Sequence, residues 1–324
     1  MPLYEPTERD RGSASRRLCV ITPVHNEGPH IDRVVAGMRA QRRAPDLWLI
    51  VDDQSSDDTL ERVKAATKDL EFAKVLSYER PKIETKDRLA LALEASSFNY
   101  GLSAVGGAET FDFIAKLDGD VVLPADYYEK CLAHMANHPE VGLVCGQLRE
   151  TLGGMTRIIP IASRHVHGAL KLYRRACFEA IGGMRDQLGW DAIDEIYARM
   201  NGFTTVSLPE PVAEHLRPVG SSDGLLRGRA RHGHVAYITH FPVYWVLGRS
   251  MKLSLGRPRL LSGIAFLWGY TRAAIAGSGR VNDPAFRRYA RRELRERALS
   301  MLTRATVRRD GSRAVSAIQR VDAS

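Results

Sequence analysis

The chain has 324 residues, 44% hydrophobic and 26% charged, which excludes a wholly disordered protein and leaves room for one large α/β domain with a helical appendage. Its formal charge of +9, densest in Arg between residues 272 and 313, points to an anionic partner: a phosphorylated substrate, an acidic membrane face or nucleic acid.

Residues 1–17 are polar and basic, lack an apolar core of signal-peptide length and read as a flexible leader without an export signal. Residues 18–23 (LCVITP) predict a buried strand, and residues 30–42 have helical spacing. Residues 47–51 (LWLIV) predict a second strand, which runs into Asp52 and Asp53. Ser55 to Asp58 offer N-caps for a helix over 59–67. A third strand is expected over 74–77, an Ala- and Leu-rich helix over 89–105, and a strand over 111–117 that ends at Asp118. This alternation predicts a doubly wound, mostly parallel sheet, in which ligands bind at the carboxyl ends of the strands. Asp52-Asp53 and Asp118-Gly119-Asp120 both fall at such ends. From about 155 the pattern loosens, and after Arg217 it becomes helical and basic. The expected organisation is a leader (1–17), a catalytic domain (18–217) and a helical extension (218–324). Within the extension, 260–277 carries Arg272 and three glycines and is marginal for a span of roughly 20 residues. It reads as a helix lying on a membrane surface. Cys19, Cys131, Cys145 and Cys177 form no CxxC pair and read as buried free thiols of a reducing compartment.

Four features carry chemistry. Asp118 and Asp120 can present two carboxylates to one hard cation, Mg²⁺ or Mn²⁺, which shares its shell with substrate phosphates. Turn acids facing water would look the same in sequence, but the apolar run FDFIAKL before them favours a site. Asp52 and Asp53 end a buried strand, where a carboxylate is costly unless paired or open to a cleft, and a nucleobase is one partner; capping is the competing explanation. In Gly189-Trp190-Asp191-Ala192-Ile193-Asp194-Glu195, the three acids share a helix face, and like charges raise one another's pKa, as suits a general base. Trp190 offers a face for a sugar ring. An acidic helix N-terminus stabilised by the helix dipole is the plainer account. Arg227, Arg229 and Arg231 have the fork geometry that clamps a diphosphate, or form a solvated basic segment.

ITPVHNE at 21–27, VDDQSSDDT at 51–59, KLDGDVVLPADYY at 116–128 and IGG at 181–183 occur in order. Together they resemble the family 2 inverting nucleotide-sugar glycosyltransferases with the GT-A fold, over residues 18 to about 215. The resemblance implies that Pro23 and Glu27 line the nucleotide pocket and that Asp53 contacts the base with Asp52 beside it. It implies that Asp118 lies near the ribose and diphosphate, that Asp120 binds the metal, and that Asp194 is the general base, with Asp191 and Glu195 as alternatives because the offset differs by about one residue. It also implies a nucleotide-sugar donor and a role in polysaccharide or glycolipid assembly. The Q-x-x-R-W motif of processive synthases is absent, which favours single-sugar transfer. A polyprenyl-linked acceptor at the inner face of the cell membrane is consistent with the apolar, Arg-flanked tail.

Three rivals stand against this reading. A sugar-phosphate nucleotidyltransferase normally needs a glycine-rich basic loop after the first strand, where this chain has Thr22 to Gly28. An inactive membrane-associated scaffold has no need of acids at 53, 118, 120 and 194. A nucleic-acid binder lacks a reading module here, so no nucleic-acid partner is expected.

Overall fold

The computed structural model describes residues 16–300, except 82, 84, 86, 153, 218–223 and 257. Most of the expected leader and the end of the basic tail lie outside the described residues. The chain divides into two compact units, Met1–Gly228 and Arg229–Ser324.

The first unit is built on one sheet. Strands β1 (Leu18–Val24), β2 (Leu47–Asp52) and β3 (Ala73–Ser77) pair in parallel, as do β1 and β4 (Phe113–Leu117). β1, β2 and β4 read as near-continuous apolar runs because both faces of the sheet are covered, and their side chains are almost all buried. Helix α1 (Ile31–Arg39) buries Ile31, Val34, Val35 and Met38 at helical spacing. Helix α2 covers Thr59–Thr67, as expected; Asp57, just before it, accepts hydrogen bonds from the backbone N–H and hydroxyl of Thr59.

The expected helix over 89–105 is shorter. A 3-10 turn at Leu89–Leu91 is followed by Ala92 at φ +49°, and the α-helix α3 occupies Leu93–Ser103. Propensity favoured one continuous helix, but the left-handed residue breaks it.

Beyond Leu117 the sheet becomes mixed. β5 (Val121–Val122) leads to α4 (Tyr127–Asn137), β6 (Val141–Leu152) and β7 (Met155–Ile158). β8 (Leu170–Arg174), α5 (Arg175–Ala180), α6 (Trp190–Met200) and β9 (Thr204–His215) follow. The sheet order is β3-β2-β1-β4-β8-β6-β9-β5, with β7 paired to β6. β8 runs antiparallel to β4, and β5 antiparallel to the end of β9, with Val121 opposite His215. The four cysteines are free and buried.

The second unit is helical. α7 (Leu225–Ile238) begins in the first unit and runs into the second, which also contains α8 (Val243–Ser254), α9 (Leu261–Ile275) and a basic helix over 284–300. Its small core holds Ala236, Val246 and Phe266. α7 and α9 touch through backbone: a Cβ on Gly269 would sit 1.8 Å from the Ala230 carbonyl oxygen, so only glycine permits the approach. Among the described residues, no helix is long and apolar enough to cross a membrane.

Candidate active site

The parallel register sets β1, β2 and β4 ending on one edge of the sheet. Val24 stands opposite Asp52, and Ile21 opposite Lys116, so Asp53 and Asp118 emerge at the ends of the two strands that flank β1. The two loops after β1 and β2 are laced together. Asn26 N–H donates to Ser55 Oγ at 3.0 Å, Glu27 N–H to Thr59 Oγ1 at 2.8 Å, and Gly28 N–H to Asp57 at 3.2 Å. Ser55, Asp57 and Thr59 therefore fix the shape of the β1 loop as well as starting a helix. Pro23 is the last but one residue of β1, beside Val51.

At this edge Asp120, Glu27, His215 and Arg217 meet. His215 Nε2 lies 3.4 Å from Asp120 Oδ2, and the Asp120 carbonyl accepts the Leu216 N–H at 2.9 Å, because the β5–β9 pairing holds these segments together. Arg217 reaches Glu27 at 2.7 Å and Asp120 at 3.9 Å. Burial, then the Asp120 carboxylate, push Glu27 up to about 8 against the pull of Arg217. Burial works against charge on Asp120 too, but His215 and Arg217 hold its pKa below the usual carboxylate value. The His215 ring is disfavoured by burial, yet Asp120 and Asp118 raise its pKa. Asp118 is 34% exposed and pairs with the buried Lys116. Gly119 has little room beside these acids: a Cβ there would stand 2.9 Å from Val24 Cγ1 and 3.1 Å from Glu27 Cγ. The glycine was expected for a tight turn; its φ is not in the left-handed region, and clearance is what it provides.

Asp53 is almost wholly buried and accepts a bidentate pair from Arg80 at 2.7–3.0 Å and a further bond from Arg88. The Arg80 guanidinium also lies 5.2 Å from the centre of the Tyr78 ring, itself stacked on Tyr100. Asp52 Oδ2 accepts from Ser55 N–H at 3.4 Å, while its Oδ1 is buried with no hydrogen-bond partner among the described residues.

The three acids of α6 have different surroundings and do not form one cluster. Asp194, 4% exposed, accepts from Lys171 Nζ at 2.7 Å and from the Tyr173 hydroxyl; burial pushes it up to about 6 although Lys171 opposes this. Glu195 is also buried, accepting from Val166 N–H at 2.9 Å and standing 2.9 Å from His165 Nδ1. Asp191 is half-buried, and its carboxylate makes no hydrogen bond to a described residue. It packs beside Gly168, whose carbonyl accepts from Lys116, the partner of Asp118. Trp190 was expected to offer its ring to a sugar. Instead it is 5% exposed, donates its indole N–H to Glu94 at 3.0 Å and has Lys116 and Lys171 within 5.3 Å of the ring centre. These lysines stand directly opposite each other on β4 and β8, an unfavourable pairing unless each has a counter-charge, as each has here.

Arg227, Arg229 and Arg231 all lie on α7, with Arg229 and Arg231 in the second unit. Lys171, His215, Arg80, Arg88 and Arg217 were missed in the sequence because their partners are remote along the chain, with 190 residues between Glu27 and Arg217; Lys116 pairs with the nearby Asp118 but sat within an apolar run that read only as a strand.

Among the described residues, no three His, Cys, Asp or Glu side chains form a ready-made metal cage. A Mg²⁺-type ion needs less, since it usually takes one or two protein carboxylates and completes its shell from phosphates and water. The carboxylates of Asp120 and the part-exposed Asp118 fit that donor set, with the His215 imidazole beside Asp120 as a further, nitrogen donor.

Residues 19–161 match the family model described as Glycosyl transferase family 2. No curated protein matches the chain in sequence. Among solved structures, S. aureus TarS in complex with UDP-GlcNAc is similar at 15% identity, over 82% of this chain and 74% of that one, with a TM-score of 0.51. GalNAc-T7 with UDP, GalNAc and Mn²⁺ is similar at 15% identity, over 81% of this chain and 57% of that one, with a TM-score of 0.53. At such identities the likeness establishes the fold.

Proposed function

We propose that this chain, a family 2 glycosyltransferase of the GT-A fold, moves a sugar from a nucleoside-diphosphate donor to an acceptor hydroxyl with inversion at the anomeric carbon. The observation that carries the reading is the meeting of Asp120, His215, Asp118 and Glu27 at the carboxyl ends of the parallel strands, the edge where open α/β sheets bind ligands. Asp53, fixed between Arg80 and Arg88, contacts the nucleobase, and Pro23 and Asp52 line the same pocket. The two arginines hold the Asp53 carboxylate in one orientation as a hydrogen-bond acceptor.

Asp120, with His215 beside it, would hold a divalent cation, Mg²⁺ or Mn²⁺, and Asp118, paired with Lys116, would lie towards the ribose and diphosphate. When bound, the ion supplies positive charge that stabilises the departing nucleoside diphosphate. Asp191 is the general base. Among the described residues it is the one acid of α6 whose carboxylate accepts no hydrogen bond, whereas Asp194 and Glu195 pair with Lys171 and His165. Asp191 removes the acceptor hydroxyl proton as that oxygen attacks the anomeric carbon, and the bond from that carbon to the diphosphate oxygen breaks on the opposite face. Trp190 contributes by packing between Lys116 and Lys171. The role on the donor diphosphate is given to Arg217, which reaches Glu27 and Asp120, in place of Arg227, Arg229 and Arg231.

The acceptor is a glycolipid or growing polysaccharide. TarS and GalNAc-T7 were captured with uridine nucleotides, so UDP-sugars are the first donors to test, followed by GDP- and dTDP-sugars. Thermal stabilisation by one of these donors that requires Mn²⁺ or Mg²⁺, with release of the free nucleoside diphosphate, is the expected result. A stable protein that binds none of them with either ion rules the reading out.

A further inference from the structure

α8 and α9 form a hairpin within the second unit. Ser250 Oγ donates to the Gly263 carbonyl at 3.0 Å, Val246 packs with Phe266, and only residues 255–260 connect the helices, so the two run antiparallel. Each helix carries a second apolar stripe that no described part of the chain covers. On α8 it is Tyr244, Leu247 and Met251; on α9 it is Ile264, Trp268 and Ile275. The spacing is three, four and seven residues, one face of a helix in each case. Met251 is 72% exposed, Trp268 60% and Ile275 86%.

The two stripes lie on the same side of the hairpin. On α8 the stripe is turned by about a third of a turn from the Val246–Ser250–Leu253 line that meets α9. On α9 it is turned by about a third of a turn, in the same sense, from the Gly263–Leu267–Tyr270 line that meets α8. In an antiparallel pair, equal rotations in the same sense bring both stripes to one face. The result is a broad apolar surface of a kind that monomeric proteins rarely leave open.

Charge selects the occupant. Residues 243–275 contain five Lys and Arg and no Asp or Glu, and residues 229–300 contain fourteen Lys and Arg against three Asp and Glu. A second copy would bring the same sign of charge to the contact, and the basic end of this chain would do likewise. An anionic partner with an apolar interior matches both properties. α9, at 15 residues, is about 22 Å long, too short for the hydrocarbon core of about 30 Å but sufficient to lie along its boundary. We propose that the α8–α9 hairpin docks the protein on an anionic lipid surface, with Met251, Ile264 and Trp268 entering the acyl boundary and Arg259 and Arg272 facing the headgroups. This inference stands on the second unit alone and does not depend on the proposed reaction.

The full-length protein is mixed with vesicles of phosphatidylcholine and phosphatidylglycerol in a two-to-one ratio, or of phosphatidylcholine alone, and floated at low and high salt. It is expected to float with the anionic vesicles, to lose most of that association at high salt, and to bind the zwitterionic vesicles weakly. The double variant Met251→Glu/Trp268→Glu is expected to bind at least about tenfold more weakly, since two large side chains lose their apolar burial. Both substitutions are at exposed positions, so circular dichroism and nucleotide binding should match the wild type. Arg259→Gln/Arg272→Gln tests the charged rim in the same assay and should weaken only the anionic arm. Failure of the wild type to float with anionic vesicles overturns the proposal, as does equal flotation of the double variant. A dimer in sedimentation velocity that the double variant dissociates also overturns it, by showing that a second copy covers the face. Nucleotide-sugar turnover is read separately, so loss of either result leaves the other interpretable.

Discussion

Nε2 of His215 faces Oδ2 of Asp120 at 3.4 Å, joining the last residue of β9 to the acid that follows β4. The β5–β9 ladder makes this contact, with Val121 opposite His215 and the Asp120 carbonyl bonded to Leu216. Two donors of different type thus converge at the edge where the sheet is expected to take its ligand. If they hold the cation, Asp120→Ala loses transfer altogether. His215→Gln retains it but needs about 10- to 100-fold more Mn²⁺ for half-maximal rate. A Mn²⁺ titration of turnover reads this directly, and an unchanged titration curve in His215→Gln removes His215 from the ion.

The division of labour within α6 gives a second test. Asp191→Asn is expected to lower kcat by about 10² to 10⁴-fold while leaving donor affinity, measured by calorimetry, within about twofold of wild type. Asp194→Ala should act on folding instead, because it removes the nearest counter-charge of the fully buried Lys171 ammonium and leaves only Glu195, at 3.8 Å; the expected loss is roughly 3 kcal/mol in urea unfolding. A stable, inactive Asp194→Ala protein together with an active Asp191→Asn protein would reverse the assignment.

Asp53 is held by two arginines, so its removal has two consequences. Asp53→Ala leaves Arg80 and Arg88 facing each other without their shared counter-charge, and a stability loss of roughly 3 kcal/mol is expected. Nucleotide binding should weaken for every base, since the acceptor is removed and its place becomes cationic. Undiminished nucleotide affinity in a folded Asp53→Ala protein would place the base elsewhere.

The His165–Glu195 pair, 2.9 Å apart, predicts a pH profile of stability. Burial opposes charge on both residues, but their mutual contact raises His165 and lowers Glu195. The raised histidine contributes stability fully below its ordinary pKa near 6.5, and this is lost as pH rises through the higher folded value. The lowered glutamate contributes stability above its ordinary pKa near 4.5, lost as pH falls through the lower folded value. Their joint contribution is therefore largest between about pH 4.5 and 6.5. His165→Gln should flatten the alkaline side of the profile of thermal midpoint against pH, and an unaltered alkaline limb would show that the pair carries no such linkage.

Local pattern made the first half of the first unit legible. Apolar runs such as LCVITPV and LWLIVD can only be strands buried on both faces, and the residues that end them, Asp53 and Asp118, were visible as acids in places where acids are costly. The same logic separated α1 and α2 from the loops that precede them. It did not reveal that Ala92 turns left-handed and shortens the next helix, because a single residue's φ is set by what packs around it.

Sequence by itself determined which residue types lie at the strand ends, and with them the candidate chemistry, because hydrophobic period and strand termination are local properties. Tertiary structure decided how those residues are partnered. His215 joins Asp120 only through a ladder between distant strands, Arg80 and Arg88 claim Asp53, and Lys171 claims Asp194, while the Asp191 carboxylate accepts no hydrogen bond from a described residue. Spacing along a helix makes three acids look equivalent; burial beside particular cations makes them different, and burial depends on long-range packing.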